Sequence, residues 1–215
     1  MSARDNILGR VRKALGRSGP LSDAETAAMR AKLRDHPRGP QPSMPWEPVS
    51  RFKERCAILS STVDEAASLA DVPQTVARYL SERDLPRAGV CWPELAGLGW
   101  HAAGLQMDGR PATGDDKTGI TGSFCAIAET GTLVITSGAA TPTATVLLPD
   151  THVAVVRADR IVAGMEEAFA LLRAERPRMP RAVNLVPGPS RTGDIEQTIV
   201  LGAHGPFRVH IVVVG

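Results

Sequence analysis

An α/β fold, with a layered sheet carrying helices on both faces, follows from three features of the sequence. Segments rich in Val and Ile alternate with amphipathic helical stretches, the pattern of a sheet covered by helices. "AVNLV" (182–186) and "VHIVVV" (209–214) are nearly continuous apolar runs, as central strands buried on both sides require. A chain of 215 residues, 43% apolar and 22% charged, can also bury a sizeable core without disulfide or metal staples.

The elements follow in chain order. Ser2–Leu15 is an amphipathic helix. Ile7, Leu8, Val11 and Leu15 share one face, and Arg4, Arg10, Arg12, Lys13 and Arg17 lie mostly elsewhere. Ser2 is its N-cap, with Asp5 in the capping-box position. Ser22 and Glu25 start a second helix from Asp23 to about Arg34 in the same way. Five prolines and one glycine between Pro37 and Pro48 then exclude helix or central strand and mark an extended linker. Residues 1–48 therefore form an N-terminal helical extension with a Pro-rich linker, and 49–215 form the α/β domain. The apolar stripe of the first helix is too narrow for membrane binding, so its basic side is read as the solvated face of a packing or dimer helix.

In the main domain, a helix at Arg51–Cys56 leads into a short strand near Ala57–Thr62. A helix at Pro73–Arg83 has proline in its first turn, and strand Ala88–Trp92 is closed by Pro93. A short strand near Ala102–Leu105 precedes the polar turn "DGRPATGDDKTG". Two β-type runs, Ile120–Ala128 and Thr132–Thr136, join through Glu129-Thr130-Gly131. A short helix at Pro142–Leu148, strand His152–Val156 and a helix from Ile161 or Val162 to Ala174 follow. Strands Ala182–Val186 and Arg208–Val214 flank the turn-rich "GPSRTGDIEQTIVLGAHGP".

Composition narrows the function classes. The balance of 25 basic and 23 acidic residues, net +2, gives no electrostatic case for nucleic acid or an anionic membrane. One Tyr, three Trp and four Phe are too few for base-stacking platforms. Cys56, Cys91 and Cys125 are far apart with no C-x-x-C pair, so they are read as small hydrophobes, and no metal or cofactor is expected in this chain. The N-terminus lacks a secretory pattern and no apolar run is long enough to span a bilayer, so the expected compartment is the cytoplasm.

In open α/β sheets, ligands bind outside the carboxyl ends of strands, where three loops fall in this sequence. In Glu129–Thr132, Glu129 ends a buried strand; partial desolvation there suits a carboxylate to general-base or nucleophilic work, while capping the turn or pairing with an arginine is the alternative. Ser137–Thr145 offers hydroxyls and backbone N–H groups, but no P-loop or dinucleotide fingerprint. In Gly188–Glu196, a Pro-Gly-Pro turn leads to a helix starting near Thr192, capped by Thr192 or Gly193, with Asp194 and Glu196 in its first turn and Gly202 or Gly205 at its end. Ser190 and Arg191 precede that helix, and Arg191 is the candidate for bidentate contact with a carboxylate or phosphate. His204 is read as a turn histidine.

"AIAETGTLVITSG", "LLPDTHVAVVRADRIV" and "GPSRTGDIEQTIVLGAHGPFRVHIVVV" resemble the LUD-domain family, specifically its lactate-utilisation protein C group, and "MSARDNILGRVRKAL" resembles that group's N-terminus. The resemblance implies a fold similar to the sugar-phosphate isomerase and CoA-transferase superfamily. It also implies a part in bacterial growth on L-lactate, as a cluster-free subunit working with iron–sulfur oxidoreductase subunits. The resemblance carries over no catalytic residue set; from its place at the strand end, Glu129 is the expected catalytic residue. Thr130, Gly131, Thr132, Ser190, Arg191, Thr192, Asp194 and Glu196 are the expected binding residues for a small organic acid or other anion. A stand-alone enzyme acting on a CoA thioester or phosphorylated metabolite through Glu129 is the alternative. A non-catalytic protein docking through its N-terminal helix, with possible homo-oligomers, is the third reading.

Overall fold

A computed structural model describes residues 2–17, 19–193 and 198–215. The chain divides into two compact units, Met1–Ser43 and Met44–Gly215. The first holds α1 (Ala3–Ala14) and α2 (Asp23–Asp35), each started by a reciprocal Ser–acid capping box, Ser2 with Asp5 and Ser22 with Glu25. Neither helix buries a residue, and Ile7, Val11, Leu15 and Leu33 are exposed.

The second unit begins with α3 (Pro48–Ile58), where Pro48 occupies the first turn and the Glu47 carboxylate accepts from the Val49 and Ser50 N–H groups. There follow β1 (Thr62–Ala66), α4 (Val72–Glu82), β2 (Ala88–Cys91), β3 (Gln106–Gly109), β4 (Thr118–Thr121), β5 (Cys125–Ile127) and β6 (Thr132–Thr136). Next come α5 (Ala144–Leu147), β7 (Thr151–Arg157), β8 (Ile161–Val162), α6 (Met165–Glu175) and β9 (Val183–Val186). The short β10 (Arg191–Thr192) and β11 (Val200–Leu201) precede the final β12 (Arg208–Val214).

Six strands form one sheet in the order β1-β12-β7-β4-β2-β3, and every neighbouring pair is parallel. A parallel sheet needs cover on its faces, and the burial pattern shows it: Thr151–Val156 of β7 and Val209–Val214 of β12 are all buried. α4 packs on β1 and β12 through Val72, Val76 and Leu80, which repeat every four residues along one face, and α5 packs on β4 and β7. A second, mixed sheet runs β8-β5-β6-β9, with β5/β6 and β6/β9 antiparallel. α3 packs against β1 of the first sheet and β8 of the second.

Several segments differ from the sequence expectation. The strand expected at Ala57–Thr62 starts only at Thr62, because α3 runs on through Ile58. Residues 101–103 form a helical turn, and the strand expected at Ala102–Leu105 lies at Gln106–Gly109. The single run Ile120–Ala128 is two strands, broken at Gly122–Phe124 and placed in different sheets. Ile161–Val162 pair with β5 and so precede the helix, which begins at Met165. Val183–Val186 is an edge strand, not a central one, and its Leu185 is 40% exposed. Thr192, expected to start a helix, lies instead in the antiparallel pairing of Arg191–Thr192 with Val200–Leu201, and residues 194–197 of that helix lie outside the described residues. Thr192 is β-branched and ends β10 just before Gly193, so cross-strand pairing wins there over the helix start.

Two histidines sit inside the parallel sheet. His152 of β7 shares a 2.8 Å hydrogen bond between Nε2 and Thr121 Oγ1, and His210 of β12 shares one of 2.8 Å between Nδ1 and Thr62 Oγ1. The His210 ring also stacks on Tyr79, with centroids 3.7 Å apart. Burial pushes both imidazoles down to about 4, and for His210 this outweighs the opposing pull of Asp64. An unfolded histidine titrates near 6.5, so between about pH 6.5 and 4 the unfolded chain binds more protons than the folded one. Stability is then complete above that window and falls as pH drops through it, by roughly 3 kcal/mol per histidine across the full shift. Urea unfolding at pH 7, 6 and 5 should show a falling midpoint, and His152→Asn should flatten the slope; an unchanged midpoint would contradict neutral buried rings.

Candidate functional site

The antiparallel register of β6 decides which predicted loops meet. β5 pairs Ile127 with Thr132, and β9 pairs Val186 with Leu133. The Glu129–Thr132 turn and the Gly188 loop therefore share one end of the second sheet, and Ser137–Thr145 lies at the other. In the first turn, Gly131 has φ +67°, and a Cβ on it would stand 2.8 Å from Arg55 Cβ of α3. Thr130 and Thr132 share a hydroxyl–hydroxyl bond of 2.8 Å, and the Glu129 N–H donates to the Ala163 carbonyl. Glu129 is half-buried.

Ser190 and Arg191 line a hollow of about 410 Å³ with His204. Its other walls are mainly apolar and proline: Leu59, Val146, Leu147, Leu185 and Val186, with Pro187, Pro189 and Pro206. Arg191 Nη2 donates to the Leu59 carbonyl at 3.1 Å and to Ser60 Oγ at 2.7 Å, tying β10 to the end of α3. Glu129 does not line this hollow, so the two expected anchors do not share it. Thr192 is buried, and Asp194 and Glu196 lie outside the described residues.

A second cleft, of about 420 Å³, lies where β2, β4 and β7 end side by side. This is the carboxyl edge of the parallel sheet, where open α/β sheets bind ligands. Trp92, Glu94, Gly122, Ser123 and Arg157 come from the residues at or just beyond those strand ends, and Thr136 and Thr141 from the end of β6 and its loop. Arg160, just ahead of β8, and Glu175 and Arg176, at the C-terminus of α6, close it. Trp92 is fixed by its indole N–H to the Pro142 carbonyl at 3.1 Å, which ties the Ser137–Thr145 loop to this wall.

The charges in this cleft are unevenly committed. Arg160 donates to Glu175 at 2.6 and 2.9 Å and through Nε to the Phe124 carbonyl at 3.1 Å. Arg157 pairs bidentately with Asp159 at 3.0 and 2.8 Å. The Arg176 guanidinium stands 5.5 Å over the Phe124 ring and makes no hydrogen bond or ion pair among the described residues. It caps the C-terminus of α6, where a cation complements the helix dipole and Pro177 prevents further helix. Glu94 follows Pro93, which ends β2. Its Oε1 lies 2.8 Å from where a Cβ on Gly122 would be, so a side chain at Gly122 would make the carboxylate shift. Burial pushes the Glu94 carboxyl up, and the Arg176 guanidinium draws it partly back.

A family model, the LUD domain, matches residues 96–214. This chain belongs to the LUD-domain family. A solved structure of a DUF162 family protein from Deinococcus radiodurans superposes with a TM-score of 0.55 at 27% identity, covering 78% of this chain and 96% of that one. Lactate utilization protein C of Bacillus licheniformis is 37% identical over 99 residues, 45% of this chain and 41% of that protein. The Macrococcus caseolyticus protein of the same name is 33% identical over 126 residues, 57% and 51% of the two chains. The matched stretches thus span about half, or less, of these relatives' length. Within the LUD domain lie Phe124, Arg157, Arg160 and Arg176, and Glu94 stands just ahead of it.

Sequence reasoning missed Glu94 and Arg176. The signal for Glu94 was an acid directly after a proline-closed buried strand, but its meaning depends on β2 lying beside β4, which no local pattern encodes. In the predicted loop, Gly131→Ala should lower unfolding stability by about 2 kcal/mol, from both its left-handed backbone and the close approach to α3. Gly193→Ala, with nothing within 4 Å, should change it little. Equal urea midpoints for the two variants would contradict the packing of this turn on α3.

Proposed function

We propose that this LUD-domain protein serves lactate utilisation as a cluster-free subunit, holding a small organic acid in the carboxyl-edge cleft while iron–sulfur oxidoreductase subunits carry the electrons. The observation that carries the reading is Arg176, an uncommitted guanidinium in a cleft at the edge where parallel sheets bind ligands. A planar cation of this kind recognises a carboxylate bidentately. The names of the matching relatives supply the metabolic setting. Burial of Cys56, Cys91 and Cys125 pushes their thiols up to about 12, 11 and 11. Such thiols stay protonated at neutral pH, whereas metal and cluster ligation needs thiolates, which favours electron carriers on other chains. The chain's own contribution is to bind and orient the acid: Arg176 on its carboxylate, with Trp92 and Phe124 limiting its water contact.

Calorimetric titration of the full chain with L-lactate tests this reading. Binding is expected, weakened at least about tenfold in Arg176→Ala and unchanged in Arg191→Ala. A host lacking the protein should lose growth on L-lactate and regain it with the parent gene but not with Arg176→Ala. No L-lactate binding by the parent chain, or normal growth of the deletion strain, would overturn it.

A further inference from the structure

We propose that Glu94 makes the carboxyl-edge cleft selective for a small carboxylate whose neighbouring carbon bears a hydrogen-bond donor, a 2-hydroxy or 2-amino acid, over the 2-oxo acid of the same skeleton. This rests on the reading of Arg176 as the carboxylate anchor. Five charged side chains line the cleft, and three of them, Arg157, Arg160 and Glu175, are committed to ion pairs. Glu94 and Arg176 are the two without an ion pair or hydrogen bond among the described residues. Both line the same cleft, and they do not close into a pair. A gap bounded by a cation on one side and a carboxylate on the other fits a ligand that is an acceptor at one end and a donor at the other.

A 2-hydroxy acid meets that demand: its carboxylate takes Arg176 and its hydroxyl donates to Glu94. An ammonium at the same carbon does the same with added charge. A 2-oxo acid turns a carbonyl oxygen toward the carboxylate, and two acceptors repel. A plain acid leaves Glu94 unanswered and adds a second negative charge beside it. Gly122 is part of this device, because a methyl group there would push the Glu94 carboxylate from its position. In an oxidation of hydroxy acid to oxo acid, such a cleft would hold the reduced form and release the oxidised one.

The test is competition or direct titration of the full chain with L-lactate, L-alanine, propionate and pyruvate at neutral pH. L-Lactate and L-alanine should bind at least about tenfold tighter than propionate and pyruvate, the scale of a hydrogen bond to a charged group. Glu94→Ala should erase that ratio while tightening propionate, since a like charge is removed, a gain that loss of structure would not produce. Gly122→Ala should reduce the ratio in the same direction. If all four acids bind the parent equally, or if the ratio survives in Glu94→Ala, the selectivity is wrong, while weakening of all of them by Arg176→Ala would leave the anchor standing. If none of the acids binds the parent, the anchor itself fails.

Discussion

The pairing of β7 with β12 holds the α/β unit together. Seven residues at the end of the chain, Arg208–Val214, lie parallel to Thr151–Arg157 in unbroken register. Both strands are buried at almost every position, so this pair forms the centre of the core, with β1 added on one side and β4 on the other. Parallel pairing forces all six strands to end at the same edge, and that is how a chemistry-bearing cleft arises from residues 92, 94, 122, 157 and 176, which are far apart in sequence. The neutral, buried His152 and His210 belong to the same constraint: each lies in a central strand and satisfies a ring nitrogen with a threonine of the next strand.

The second sheet gives the cleft its other wall. β5 leaves the end of β4 after only three residues, Gly122–Phe124, which turn the chain from one sheet into the other. That turn places the Phe124 ring within 5.0 and 5.5 Å of the guanidinium groups of Arg160 and Arg176. The same turn places Gly122 beside the Glu94 carboxylate, which a side chain there would crowd. Arg160 is consumed by Glu175 and the Phe124 carbonyl, so it acts as a brace, and Arg176 beside it remains open. Two arginines one helix apart thus differ in role because only Arg160 closes an ion pair with Glu175, although Arg176 also draws on that carboxylate.

Much of this was legible from local pattern. The α/β class followed from alternating apolar strands and amphipathic helices, and the LUD-domain family from motifs that a family model also matches. Arg208–Val214 stands where its apolar run places it, and both serine capping boxes form as their spacing requires. The misplacements have physical causes. Val183–Val186 is as apolar as a central strand but lies at an edge, since composition reports burial on average and not strand order. Ile120–Ala128 reads as one strand because a sheet change leaves no apolar gap. The strand Arg191–Thr192 answers to a partner eight or more residues away. At the candidate site, loop chemistry pointed to Arg191, whose guanidinium turns out to brace α3. Glu94 and Arg176 carry no motif: an acid after Pro93 and an arginine ending a helix acquire meaning only when β2, β4 and α6 are brought to one edge.

A crystal structure of the full chain soaked with L-lactate would decide most directly where the ligand sits. Density bridging the Arg176 guanidinium and the Glu94 carboxylate, above Gly122, is the expected result. Density instead in the hollow beside Arg191 and His204, or against Glu129, would contradict a binding site at the carboxyl edge of the parallel sheet.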